Sequence, residues 1–122
     1  MKTQKRVLVV EDNENNLYLI QFLLESNNFN ILVAKDGEKG VELAKQEKPD
    51  LILMDIQLPK MDGYTATKII KGDPATSSIP IVVLTSFAMP EDKKKAEEAG
   101  CDEYLSKPIN PDDVLGVIKK FL

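Results

Sequence analysis

The stretch DLILMDIQLPKMDGY, residues 50–64, decides how the rest of this 122-residue chain is read. Leu51, Ile52, Leu53 and Met54 form an unbroken apolar run, short enough for a strand and apolar enough to be buried on both faces. The run ends on a carboxylate, Asp55. Pro59 and the Asp62-Gly63 pair then stop the strand and shape a loop before the next helix. In an open parallel sheet chemistry collects at the carboxyl ends of the strands, and Asp55 falls there. Taken alone, Asp55 is equally well a solvated loop acid.

Upstream, Arg6 to Val10 (RVLVV) is a first apolar run, and it too ends in acids, Glu11 and Asp12. Helical spacing follows, with Leu17, Ile20, Leu23 and Leu24 on one stripe, Phe22 beside it, and Asn27-Asn28 as the stop. Asn30 to Lys35 reads as a second strand. Asp36 suits the N-cap of a helix carrying Val41, Leu43 and Ala44, which Pro49 terminates. Downstream of Asp55 the pattern predicts a helix from about Tyr64 to Lys71, with Ile69 and Ile70 apolar. A polar loop, Gly72 to Ser78, leads through Pro80 into a fourth buried strand, Ile81 to Leu84, which ends at Thr85-Ser86.

Pro90 suits the first turn of a fourth helix and Gly100 its C-terminal cap. The apolar residues of that helix are mainly Ala96 and Ala99, so it should pack shallowly and shift easily. Asp102 to Ser106 gives a short fifth strand ending at Lys107-Pro108. Asn110 and Pro111 start a last helix in which Val114, Leu115, Val117, Ile118 and Phe121 keep helical periodicity. Five strands alternating with five helices require an α/β fold, a parallel sheet covered on both faces. Right-handed crossovers give the strand order 2-1-3-4-5, and residues 1–122 read as a single domain without linker or repeat.

Composition narrows the function classes. Hydrophobic residues make up 43% and charged residues 30% of the chain, as in an ordinary soluble globular protein. A net charge of -4 argues against a nucleic-acid surface, which needs clustered Lys and Arg. The basic run Lys93-Lys94-Lys95 is interleaved with Glu91, Asp92, Glu97 and Glu98, so it reads as a solvated helix face. A single cysteine, Cys101, excludes an intramolecular disulfide and suits a reducing compartment, and reads as a small apolar filler. With no signal peptide, membrane span or lipidation motif apparent, a cytoplasmic protein without membrane contact is expected. The opening MKTQK looks like a natural start and favours a whole protein over a fragment.

In the order 2-1-3-4-5, strands 1 and 3 are neighbours, so Glu11, Asp12 and Asp55 converge at one end of the sheet. Three close carboxylates repel one another, and one should hold a proton unless a cation intervenes. Ligation by oxygen alone favours a hard divalent ion, with Mg2+ the best match. From the same end, strand 4 brings the hydroxyl of Thr85 and strand 5 the ammonium of Lys107. A metal, a hydroxyl and a fixed positive charge beside Asp55 suit the in-line passage of a phosphoryl group to a carboxylate. Each member has a plainer role when taken singly. Glu11 and Asp12 would cap the first helix, Thr85 would close a strand, and Lys107 would be solvated.

At these residues the chain resembles the receiver (CheY-like) domains of two-component response regulators, of the single-domain type. The resembling pieces are VLVVEDNENN at 7–16, DLILMDIQLPKMDG at 50–63, PIVVLTSFAM at 80–89 and GCDEYLSKPIN at 100–110. Together they cover essentially the whole chain. The resemblance implies a flavodoxin-like (βα)5 fold, with Asp55 as phospho-acceptor and Mg2+ held by Glu11, Asp12, Asp55 and the main-chain carbonyl of Gln57. It further implies that Thr85 and Lys107 contact the phosphoryl group, and that Lys107-Pro108 is a cis peptide. Asn16 matches an asparagine often found in this version of the acidic motif. Thr85 and Tyr104 would form the switch, Thr85 moving toward the phosphoryl group and Tyr104 turning inward. The output would be a changed surface on helix 4, strand 5 and helix 5. Gln57 and Phe87 should flank the mouth of the site and tune the lifetime of the acyl phosphate.

The resulting expectation is a stand-alone receiver fed by a histidine kinase or a phosphotransfer protein. It would act on a downstream protein target, without direct nucleic-acid contact, and leaves a phosphorylation-dependent homodimer open. It would not be a conventional enzyme, catalysing only its own phosphorylation and dephosphorylation. An adaptor that works without phosphorylation usually lacks one of the acids, the hydroxyl or the lysine, and all are present. A haloacid-dehalogenase-like phosphatase wants an aspartate where this chain has Gln57. A flavodoxin-type electron carrier wants a phosphate-binding loop where Glu11 and Asp12 would repel a flavin phosphate.

Overall fold

The computed structural model describes residues 4–86 and 89–122. Five parallel strands, β1 (Arg6–Val10), β2 (Asn30–Ala34), β3 (Leu51–Asp55), β4 (Ile81–Thr85) and β5 (Glu103–Ser106), form one sheet in the order β2-β1-β3-β4-β5. Five helices alternate with them: α1 (Glu14–Ser26), α2 (Gly37–Glu47), α3 (Gly63–Gly72), α4 (Pro90–Ala99) and α5 (Pro111–Phe121). Fold class and strand order are those expected from the alternation of apolar runs and helical stripes. The small departures lie at element ends. β3 and β4 each run one residue further, taking in Asp55 and Thr85, because ladder pairing continues to Asp55–Leu84 and Thr85–Ser106.

The two faces of the sheet are filled by alternate strand residues, as the two-residue period of a strand demands. Val7, Val9, Leu51, Leu53, Val82 and Leu84 meet Leu17, Ile20 and Leu24 of α1 and Val114 and Ile118 of α5. Leu8, Val10, Ile52, Met54, Ile81 and Val83 meet Val41 and Ala44 of α2, Ala66 and Ile70 of α3, and Ala96 of α4. Each fully buried Leu or Ile contributes about 1.5–3 kcal/mol relative to exposure. β3 and β4, buried at every residue, are therefore firmly held supports for whatever they carry at their ends. Phe22, next to the buried stripe of α1, is 64% exposed, since it falls on the helix face turned from the sheet.

Four helices begin with a side-chain cap: Asn13 for α1, Asp36 for α2, Asp62 for α3 and Asn110 for α5. Each side chain accepts a backbone N–H that the first turn would otherwise leave without a partner. α4 begins at Met89, which has no such group to offer, and buries Ala96 and Ala99. Gly100, at φ 97, closes α4 in the left-handed conformation that glycine adopts without cost. Among the described residues, no helix is long and apolar enough to cross a membrane.

Candidate functional site

β1 and β3 are adjacent and paired up to Val10 and Met54, so Glu11 and Asp55 leave the sheet side by side. Glu11 is 0% exposed and Asp55 4%, while Asp12 stands in solvent. One carboxylate oxygen from each of the three lies within 4.8 Å of the other two. The cap of α1 is Asn13 and neither of the acids, so Glu11 and Asp12 do not serve as its N-cap. Glu11 Oε2 instead accepts the Asn13 backbone N–H at 3.3 Å, which helps to fix its carboxylate.

A buried carboxylate needs a charge partner, and Lys107 supplies it. Its ammonium lies 3.0 Å from Glu11 Oε1 and 3.1 Å from Asp55 Oδ1. Lys107 is placed by its own backbone, whose N–H donates to the Thr85 carbonyl at 2.6 Å, and the Lys107–Pro108 peptide is cis. Burial works against the charge on Lys107, but Glu11 and Asp55 more than offset it and hold its pKa above the ordinary lysine value. Burial, followed by a hydrogen bond to Asp55 and its negative charge, raises Glu11 to about 7 against the opposing pull of Lys107. One ammonium therefore falls short of the negative charge gathered here. Three carboxylates converging on one point, short of positive charge, are a donor set into which a hard divalent cation fits.

Thr85, 1% exposed, ends β4 one residue beyond the Leu84 that faces Asp55. It shares a side-chain hydrogen bond with Tyr104 of β5, a half-buried residue packed on the α2–α4 face of the core. Burial raises the Tyr104 hydroxyl pKa, the nearby Asp92 adds to the rise, and the bond to Thr85 opposes it. The sheet thus brings Glu11, Asp12, Asp55, Thr85 and Lys107 to one end, with Tyr104 reaching it through Thr85. Gln57 lies just past the strand and is exposed. Phe87 lies outside the described residues. Asn16 donates its backbone N–H to Asn13 Oδ1 at 3.0 Å in the first turn of α1.

Two glycines seat the loop after Asp55. A methyl at Gly63 would stand 2.1 Å from the Asp55 carbonyl oxygen, and one at Gly37 would stand 2.0 Å from that of Met61. The loop therefore lies directly on the starts of α2 and α3, close against the end of β3. Sequence reading took Gly63 as a turn residue and passed over Gly37, because these contacts join segments that only the fold brings together. Tyr64 was also missed. Its hydroxyl donates to the Asp92 carbonyl of α4 at 3.2 Å, a partner 28 residues away.

Comparison with known proteins agrees with this geometry. Residues 7–119 match the family model described as the response regulator receiver domain. The polar-differentiation response regulator DivK of Brucella anthropi is 40% identical over 118 residues, which span 97% of this chain and 96% of DivK. The receiver domain of the sensor histidine kinase PA1611 from Pseudomonas aeruginosa PAO1 superimposes with a TM-score of 0.91 at 32% identity, covering 98% of both chains. That crystal structure has a magnesium ion coordinated in its active-site cleft. The phosphorylated cyanobacterial phytochrome response regulator RcpA is similar at a TM-score of 0.82 and 28% identity, over 97% of this chain and 91% of its own.

Proposed function

This chain belongs to the response regulator receiver family, and from that membership we propose that Asp55 accepts a phosphoryl group from a histidine kinase or phosphotransfer protein. Receivers are phosphoryl-accepting switches and not conventional enzymes. The observation that carries the proposal is the partly buried ammonium of Lys107, held 3.0 Å from Glu11 and 3.1 Å from Asp55. That arrangement keeps a fixed positive charge beside a carboxylate whose oxygen is to become bonded to phosphorus.

In the proposed reaction an Asp55 carboxylate oxygen attacks phosphorus in line with the leaving group. The phosphorus–nitrogen bond to the donor imidazole breaks, and its electron pair stays on that nitrogen. Mg2+, held by Glu11, Asp12, Asp55 and the Gln57 carbonyl, would supply positive charge to the phosphoryl oxygens. Lys107 changes partner from the Asp55 carboxylate to a phosphoryl oxygen, and Thr85 donates its hydroxyl to another. Asp55 is set in line by β3, and burial removes water that would compete for these contacts. Return to the resting state is hydrolysis: water attacks phosphorus, phosphate leaves and Asp55 is restored. Gln57 and Phe87 are proposed to tune that step.

Once Thr85 turns to the phosphoryl group, Tyr104 loses its hydrogen-bond partner and moves inward. The proposed output is a changed binding surface over α4, β5 and α5, read by a downstream protein or by a second copy of the chain. Intact-protein mass spectrometry after incubation with acetyl phosphate tests the chemistry. A Mg2+-dependent gain of one phosphoryl group, lost in Asp55→Asn, is expected. Absence of an adduct, together with no spectral response to beryllofluoride, would overturn the proposal in favour of a phosphorylation-independent adaptor.

A further inference from the structure

We propose that Tyr64 is a latch that holds the first turn of α4 against α3 and sets how readily the chain switches. The inference rests on the receiver reading above and names a regulatory residue within it. Its basis is the way α4 is attached. α4 has no side-chain N-cap and buries two alanines, so neither capping nor packing holds its start. The Tyr64 hydroxyl reaches across from α3 to the Asp92 carbonyl in that first turn. At 3.2 Å the bond is long for an O–H donor, strong enough to bias a position and weak enough to release.

What lies beside the latch shows how it would be released. Tyr64, Tyr104 and Cys101 pack on the same side of the core, and Tyr64 lies within electrostatic reach of Tyr104. Tyr104 in turn shares its hydrogen bond with Thr85 at the acceptor site. An inward turn of Tyr104 would press toward Tyr64 within this cluster, and a displaced Tyr64 ring would draw its hydroxyl away from Asp92. On the solvent side, α3 and α4 are separated by a cleft of about 330 Å³ lined by Asp62, Tyr64, Thr65, Lys68, Lys95 and Glu98. Among the described residues no ion pair spans it, though charges of both signs line its walls. α4 therefore has room to move once the hydroxyl lets go.

Because the latch bond belongs to the resting form, deleting it should shift the equilibrium toward the switched form. Tyr64→Phe removes the hydroxyl and keeps the ring. Hydrogen–deuterium exchange on the unmodified variant should show faster exchange confined to residues 90–99. Titration with beryllofluoride and Mg2+ should show about two- to fivefold tighter binding than wild type, the weight of one weak hydrogen bond. Unchanged exchange in α4, or a rise spread evenly over all helices, would overturn the latch. So would unchanged or weaker beryllofluoride binding. No beryllofluoride response in either protein, with faster α4 exchange in the variant, would reject the receiver reading and the regulatory role, leaving a plain tether.

Discussion

Every residue of β3 is buried, whereas α4 buries Ala96 and Ala99 and starts without a side-chain cap. The strand that carries Asp55, the proposed acceptor, sits mid-sheet between β1 and β4, with helices over both faces. The helix proposed to respond is held to α3 through a hydroxyl contact and buries two small side chains, and it precedes the short edge strand β5. The difference teaches a division of labour. In-line chemistry needs a carboxylate that does not move, and signalling needs an element whose alternatives lie within a few kcal/mol. The same sheet supplies both by placing one at its centre and the other at its edge.

The largest effects should separate the two regions. Leu53→Ala leaves a cavity in the centre of the sheet and should cost about 2–5 kcal/mol, whereas Ala96→Gly in α4 should cost about 1 kcal/mol. Urea unfolding of both variants checks the ratio, and equal costs would break the comparison. Gly63→Ala comes next. Its methyl would meet the Asp55 carbonyl at 2.1 Å, so the loop must shift at a cost of about 1–3 kcal/mol. A Mg2+ titration should show weaker binding, since the shift carries Asp55 with it.

The acidic pocket gives a pH signature of its own. Glu11 titrates at about 7 in the folded chain, above its ordinary 4.5. Between these values the folded state keeps a proton that the unfolded state has released, so stability should fall as pH rises and level off above 7. Urea midpoints measured across that window should decline in wild type without added metal and stay flatter in Glu11→Gln. Added Mg2+ should flatten the wild-type slope too, because it favours the ionised carboxylate. The smallest effect lies at α4. Met89 already has extended N-cap dihedrals, φ -79 and ψ 147, so Met89→Ser should add about 0.5–1 kcal/mol to the helix. It should also weaken beryllofluoride binding slightly, the reverse of Tyr64→Phe.

Much of this was legible in the chain itself. Apolar runs ending in Glu11-Asp12, Asp55, Thr85 and Lys107 place the site once the strand order is known, because period and burial are local properties of sequence. The shallow packing of α4 was legible for the same reason, from its two alanines. What stayed hidden depends on distance in space. Asn13 and not an acid caps α1, since the cap is decided by where the backbone turns after β1. Gly37 matters because Met61 comes to rest on it, and Tyr64 because its hydroxyl lands on α4. No periodicity announces contacts of that kind.

The central claim is that one site, held rigid, controls one helix, held loosely. Hydrogen–deuterium exchange with and without beryllofluoride and Mg2+ tests it most directly. The account predicts altered exchange concentrated in α4 and β5, residues 90–106, with α1, β1 and β3 unchanged apart from the loops at the site. A response spread evenly over the sheet, or one confined to α1 and α2 with α4 silent, would contradict it.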